Sequence, residues 1–409
     1  MQKLLFSGEI VSWCLLISTE LTSSVLRTLP LSRPDTGELE RQYIMDVLDS
    51  DRLAMGPRLG VFEAHMAQRC QTRHAIAVSS GTAALHLIVA GLGLGDADEV
   101  LTTPFSFVAS SNVLLYQGAR PRFADISPTT YNLDPERAEA ALTPATRALL
   151  AVDIFGLAAD WTALTQIARA RNLLLIDDAC HAMGADVAGR RIGQWGEAAA
   201  FGFYPNKQIT TAEGGCITTD SDELAAVCRS LRNQGRAEDS RMEHIRLGYN
   251  YRMSELSAAL GCAQLERLPA LLERRAEVAA WYQTALAPLQ QDVVLPFEPA
   301  DATRSWFVYV IRLTNQYAPQ ARDVLMTHLQ KQGIGCAPYF PSIHLQPYYR
   351  RRFGFKQGDF PICEAVSART LALPFYTTLT QDDIAYVART VQETLPLLPC
   401  LTQAVSFNV

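Results

Sequence analysis

Between residues 72 and 218, short apolar runs of strand character alternate with stretches whose apolar positions fall at helical spacing. The order is HAIAVSS then TAALHLIVAGLGLG, EVLTTP then FVASSNVLLYQGA, RPRFADI, RALLAVDIF then WTALTQIARARN, and LLLIDDA. Strand and helix in alternation predict βαβ units on a largely parallel sheet, hence an α/β fold. In such a sheet, ligands gather at the carboxyl ends of the strands. Those ends carry Ser79-Ser80-Gly81-Thr82, Pro104 to Phe107, Asp153, and the pair Asp177-Asp178. Residues 253–288 hold a long helical pattern, MSELSAALGCAQLERL followed by ALLERRAEVAAWYQTAL. Beyond it SWFVYVIRL reads as a strand, PQARDVLMTHLQKQG as a helix closed by glycine, and IGCAPYF as extended again. The expected organisation is an extension outside the fold over 1–28, a large α/β domain over 29–269, and a small C-terminal α+β domain over 270–409.

Length agrees with that division, because 409 residues exceed the ~100–200 of a usual domain. The apolar run IVSWCLLISTELT is too short for a membrane span, which needs ~20 residues, and Glu9 and Glu20 bracket it. A lone Lys3 ahead of Glu9 makes a poor secretory leader. Net charge is −6, and the longest basic block is Arg350-Arg351-Arg352, so no nucleic-acid footprint is expected. The nine cysteines are scattered, with no CxxC and no Cys/His cluster. Neither a disulfide frame nor a metal site is expected, and a reducing cytoplasmic location follows.

Candidate chemistry centres on FGFYPNKQITTAEGG, which holds the only lysine between Lys3 and Lys331 in a chain otherwise using arginine. An amine, unlike a guanidinium, loses its proton when desolvated and then attacks carbonyls. One lysine must fall somewhere, so Lys207 needs its context. Upstream, LLLIDDACHAMGA ends a strand-like run on Asp177-Asp178. A carboxylate there either caps a following helix or meets a protonated ring nitrogen, as a pyridoxal cofactor requires. SSGTAAL places small residues and hydroxyls where a helix opens after a strand, a ready anion site. GLGLGD imitates part of a dinucleotide fingerprint but follows a helix, so it reads as a helix stop and turn.

Taken together, SSGTAAL, TTPFSFVASSN, LLLIDDACHAMGA, FGFYPNKQITTAEGG and GYNYRMSELSAALG resemble, in order and spacing, the DegT/DnrJ/EryC1/StrS family of pyridoxal-phosphate-dependent sugar aminotransferases. The resemblance runs from about Leu31 to the C-terminal region. It implies a fold type I transferase that moves an amino group from an amino acid, by family expectation L-glutamate, to a keto group of a nucleotide-linked sugar. The product would serve polysaccharide or glycoside biosynthesis. Lys207 would bind the cofactor as a Schiff base and shuttle protons, and Asp178 would hold the pyridine nitrogen protonated. Phe107 matches the ring-stacking position and His181 the position on the other side, while Gly81, Thr82 and Ala83 match the phosphate turn. Asn250 matches an asparagine reaching the phosphate in the neighbouring subunit, which implies a two-fold homodimer with shared sites. Tyr339 and His344, in PYFPSIHLQPYY, match the segment near the sugar nucleotide.

Three departures stand out. Many relatives carry a serine five residues before the lysine, where this chain has Gly202. Ala212 replaces the first glycine of GEGG, and GDADEV is two residues longer than the usual turn. Two rival readings share the scaffold: amination of a keto-cyclitol, and a catalytically silent regulatory protein. The silent protein would have no need of an amine at 207.

Overall fold

Residues 27–237 and 242–401 are described by the computed structural model. The expected extension lies outside them except for Arg27 and Thr28. The chain joins the fold at Leu29, which is buried and bridges to Ile334, while Arg27 pairs with Asp383.

The strands in chain order are β1 (His74–Val78), β2 (Glu99–Thr102), β3 (Arg120–Phe123), β4 (Thr146–Val152), β5 (Leu174–Asp178), β6 (Asp186–Val187), β7 (Arg190–Arg191), β8 (Ala198–Gly202), β9 (Gly215–Thr219), β10 (Val293–Val294), β11 (Ala302–Thr303), β12 (Tyr309–Leu313) and β13 (Thr370–Leu373). Seven of them form one sheet in the order β1-β9-β8-β5-β4-β2-β3. β9 runs antiparallel to both its neighbours, and the pairs from β8 to β3 are parallel. The sheet is thus mixed and mostly parallel, as the alternation of elements implies. Its strands read as nearly unbroken apolar runs because both faces are covered. Along β4, Leu149 and Ala151 enter one core, while Ala148, Leu150 and Val152 enter the other. The same two-residue period puts Asp177 and Asp178 of β5 on opposite faces.

The helices are α1 (Glu38–Leu48), α2 (Pro57–Cys70), α3 (Gly81–Gly91), α4 (Ala109–Tyr116), α5 (Pro135–Ala140), α6 (Trp161–Arg171), α7 (Asp222–Arg232), α8 (Glu255–Leu286), α9 (Ala321–Lys331), α10 (Pro347–Phe353), α11 (Pro361–Ser367) and α12 (Gln381–Thr394). Hydroxyl and carboxylate caps fix several starts: Ser80 Oγ accepts from the Ala83 amide, Asp160 from Ala163, and Ser254 from Ser257. GLGLGD does close a helix, with α3 ending at Gly91 and Gly93 taking a positive φ of 68°. No helix begins directly after β5, so neither aspartate of that pair is a helix cap.

The 32-residue α8 runs through the expected division at 269/270. Its first half gives Leu265, Leu268 and Leu271 to a core against the large sheet. Its second half gives Val278, Tyr282 and Leu286 to a separate core with α9, α12 and the antiparallel sheet β10-β12-β13. Among the described residues no helix is long and apolar enough to cross a membrane, no group could hold a metal ion, and the cysteines are free.

Candidate active site

A cavity of about 590 Å³ opens where the carboxyl ends of β1, β2, β5 and β8 meet. Gly81, Thr82, Phe107, Asp178, His181, Lys207 and Tyr339 all line it, although 258 residues separate the first from the last.

Lys207 stands in the connection between β8 and β9. Because those strands pair antiparallel, with Gly202 opposite Gly215, the twelve intervening residues must turn back on themselves. Thr210 and Thr211 tie the turn down by donating to the Phe203 carbonyl, each at 3.0 Å, and the Lys207 amide donates to Tyr204 at 2.9 Å. The amine lies 4.0 Å from the centre of the Phe307 ring. Burial pushes the ammonium down to about 8, against the opposing pull of Cys180 and Asp178.

Asp178 ends β5 with both oxygens engaged. Ser110, the second residue of α4, donates its hydroxyl to Oδ2 at 2.6 Å, and the Cys180 amide reaches Oδ1 at 3.2 Å. Ser106 extends the chain with a 3.0 Å hydroxyl contact to Ser110. His181 stacks with Phe307 at 4.5 Å and with Phe340 at 5.7 Å, nearly parallel to both. Burial, then the Lys207 charge, hold its imidazole well below the ordinary range, so it is neutral at physiological pH. Its Nδ1 is buried with no partner.

At the other end, Gly81 and Thr82, the first residues of α3, line the cavity. Gly81 comes very close to β8: a Cβ there would stand 2.9 Å from Cys180 Sγ and 3.1 Å from Gly202 Cα. Helix N-terminal amides beside a side-chain-free wall form an anion cradle. Ala83 contributes less than the motif implies, because Ser80 Oγ already takes its amide at 3.0 Å. The donor set fits the expected cofactor: a nucleophilic amine, a buried carboxylate for a ring nitrogen, an unsatisfied imidazole nitrogen, and an amide cradle for phosphate.

Two expected residues stand elsewhere. Asn250 is exposed, in a bridge to Asn233, and does not line the cavity. His344 is fully buried, its Nε2 3.0 Å from Glu364, with Phe360 edge-on to the ring. Tyr339 is at the cavity, packed flat against Phe340 at 4.6 Å, while Phe107 keeps 58% of its surface exposed.

Several neighbours are not singled out by the sequence. Arg275, buried on α8, donates to the Lys207 carbonyl at 2.7 Å and to those of Trp306 and Phe307 at 3.4 and 3.3 Å. Gln208 donates to the His181 carbonyl at 2.6 Å and to Ser305 Oγ at 2.9 Å, lacing the lysine turn to the imidazole. Ser110 was within reach of sequence reading, since it follows Phe107 by one helical turn in a quoted motif. An arginine in the charged run Glu273-Arg274-Arg275-Ala276-Glu277 of a long helix leaves no such signal.

Comparison with known proteins places relatives along most of the chain. Residues 34–392 match the DegT/DnrJ/EryC1/StrS aminotransferase family. The spore coat polysaccharide biosynthesis protein SpsC of Bacillus subtilis is 38% identical, over 89% of this chain and 96% of its own length. GDP-perosamine synthase of Caulobacter vibrioides is 37% identical, over 91% of this chain and 100% of its own. Among solved structures, the PLP form of the putative sugar aminotransferase Spr1654 from Streptococcus pneumoniae superposes with a TM-score of 0.86 at 26% identity, covering 91% of this chain and 99% of that one.

Proposed function

The chain belongs to the DegT/DnrJ/EryC1/StrS aminotransferase family and is a pyridoxal-phosphate-dependent aminotransferase; from that premise we propose that its amino acceptor is the keto group of a nucleotide-linked sugar and its donor L-glutamate. The convergence of Lys207 and Asp178 with the α3 amides in one cavity carries this reading. The names of its relatives, a GDP-perosamine synthase and a spore coat polysaccharide protein, support a sugar acceptor.

Bound pyridoxal phosphate supplies a carbonyl that takes up an amine and a ring that withdraws electrons from the adjacent carbon. In this proposal Lys207 Nζ is the group that holds the cofactor and later carries the proton between substrate and cofactor. An amine with a value near 8 divides between its two forms at neutral pH, as a proton shuttle requires. Asp178 would accept from the protonated ring nitrogen, and the Ser110 hydroxyl orients its carboxylate. Neutral His181 and Phe107 are the residues that would flank the ring. Gly81 and Thr82 hold the phosphate, with Ala83 at the same turn. Tyr339 faces the sugar, whereas His344 acts on that segment from behind, through Glu364.

A two-fold dimer is part of the proposal. Exposed Asn250 would reach the neighbouring subunit's phosphate, and exposed Ile245 and Leu247 on the same segment offer apolar surface to a second copy. The test is nitrogen transfer from labelled glutamate across a panel of nucleotide-linked keto-sugars. Wild-type protein reconstituted with the cofactor should be yellow and Lys207→Ala colourless. A wild type that stays colourless and resists borohydride trapping sinks the assignment of Lys207.

A further inference from the structure

Behind the cavity, on the opposite face of the sheet, two carboxyl groups lie out of reach of bulk solvent. Asp153, just past the end of β4, and Asp177, on β5, are both wholly buried. Their strands are parallel neighbours, Ala151 pairing with Asp177, so the two side chains project side by side into the same core. Asp153 Oδ1 accepts from the Ala159 amide at 2.8 Å and from the Trp161 indole at 2.9 Å. Asp177 Oδ2 has only the Gly193 amide, at 3.4 Å. That leaves Asp153 Oδ2 and Asp177 Oδ1 buried without a donor. The two side chains lie within hydrogen-bond reach of each other, and two orphaned acceptors so placed require one proton between them, because a buried unpaired carboxylate oxygen is expensive.

We propose that Asp177 is a neutral acid whose hydroxyl donates to an ionised Asp153, and that this acid bridge pins the ends of β4 and β5 and so positions Asp178. The donors decide which partner keeps the charge: Asp153 already has two short ones, whereas Asp177 has a single long one. The other groups around Asp177 point the same way. Asp178 follows it in the chain, Cys70 of α2 and Cys180 lie near, and Arg69 and Arg191 lie near Cys70, with no arginine among the leading influences on Asp177. Burial, followed by the Asp153 and Asp178 charges, holds the Asp177 proton well above the usual carboxyl range, whereas burial lifts Asp153 only to about 7, because the Ala159, Trp161 and Asp177 donors pull it back down. The route to the site is one hydrogen bond long, since the Asp153 amide donates to the Asp178 carbonyl at 3.2 Å. Asp177 and Asp153 are therefore positioning residues. The consequence for cofactor binding rests on the role proposed for Asp178, but the protonation itself does not.

The first measurement is made on cofactor-free protein. Infrared spectra at neutral pH should show a protonated carboxyl band that is lost in Asp177→Asn and kept in Asp178→Asn. Stability supplies a second readout. A proton held above its unfolded value contributes fully below about 4 and is lost as pH rises through the folded value, so wild-type stability falls across that window. Asp177→Asn, whose amide donates as the acid does, should reduce the fall to the part that Asp153, itself lifted to about 7 by burial, contributes, and keep cofactor affinity near wild type. Asp177→Ala should lose about tenfold in affinity, the effect of one buried hydrogen bond. Absence of the band in wild type, or its survival in Asp177→Asn, overturns the bridge whether or not the variants fold. If the band behaves as expected but Asp177→Ala binds the cofactor like wild type, the link to Asp178 is wrong.

Discussion

Arg275 of α8 donates Nη2 to the backbone carbonyl of Lys207 at 2.7 Å, and its other amine spans the carbonyls of Trp306 and Phe307. One guanidinium thereby holds the lysine turn and the segment bearing the ring beneath the lysine amine. Burial lowers Arg275 only to about 10, so it stays charged at neutral pH. Arg275→Met should leave three carbonyls short of a donor and cost about 1–3 kcal/mol. Arg275→Lys should recover part of this, because a single ammonium cannot form the same fork. A loosened turn should also hydrate the Lys207 amine and raise its apparent value, read from the pH dependence of its labelling. Lost stability with an unchanged labelling profile would show Arg275 to be structural only.

Lys207 itself carries a pH signature. With its ammonium pushed down to about 8, covalent attachment of pyridoxal phosphate to the cofactor-free protein should accelerate through pH 8 and level off above it. A solvated lysine would keep accelerating to about 10.4. The sign for stability follows: between those values the unfolded chain binds the extra proton, so stability rises with pH in that window. Lys207→Met should abolish the rise. No limb near 6.5 should come from His181, whose imidazole is held neutral well below that value. An activity profile that lost an inflection near 6.5 on His181→Gln would contradict this.

Much of the fold was legible because its signals are local and repeated. Alternating strand and helix patterns gave the parallel sheet, and the polar ends of those strands pointed to the cavity. The choice between Asp177 and Asp178 was not legible from either residue alone. It follows from strand periodicity, which turns Asp178 toward the cavity and Asp177 toward Asp153. Arg275 and Gln208 were missed because their work is done on backbone carbonyls far away in the chain, and such contacts leave no spacing pattern. Asn250 lies outside the cavity of a single chain, consistent with a role that would require a second one.

Ala212 bears a strain that the sequence registers only as a departure. Its φ is +64°, the left-handed region that glycine occupies freely and alanine does not. The residue is exposed, and its amide donates to Thr210 Oγ1 at 3.0 Å in the lysine turn. Alanine there costs about 1–2 kcal/mol, from which glycine's extra freedom in the unfolded chain subtracts part. Ala212→Gly should therefore stabilise by roughly 0.5–1 kcal/mol. The check is a higher urea midpoint at unchanged slope. A lower midpoint would mean that the turn is not strained at this position.

Gly202 and Gly81 face each other across the cradle, and they should respond oppositely to a side chain. A Cβ on Gly202 would stand 3.4 Å from Cys180 Sγ and 3.6 Å from Gly81 Cα, which is ordinary contact. On Gly81 it would press within 2.9 Å of the same sulfur and 3.1 Å of Gly202 Cα, and backbone cannot easily retreat. Gly202→Ser should thus be accommodated and offer a hydroxyl to the phosphate, tightening cofactor binding by about tenfold, since hydrogen bonds to charged groups contribute ~1.5–3 kcal/mol. Gly81→Ala should weaken it, as the helix start is forced away from the anion. Titrating each cofactor-free variant with pyridoxal phosphate by fluorescence separates the cases. Tighter binding in Gly202→Ser would place the phosphate between α3 and β8 in this chain. No change in Gly202→Ser, with binding restored to Gly81→Ala by removal of the Cys180 thiol, would instead show that sulfur, not the missing hydroxyl, shapes the cradle.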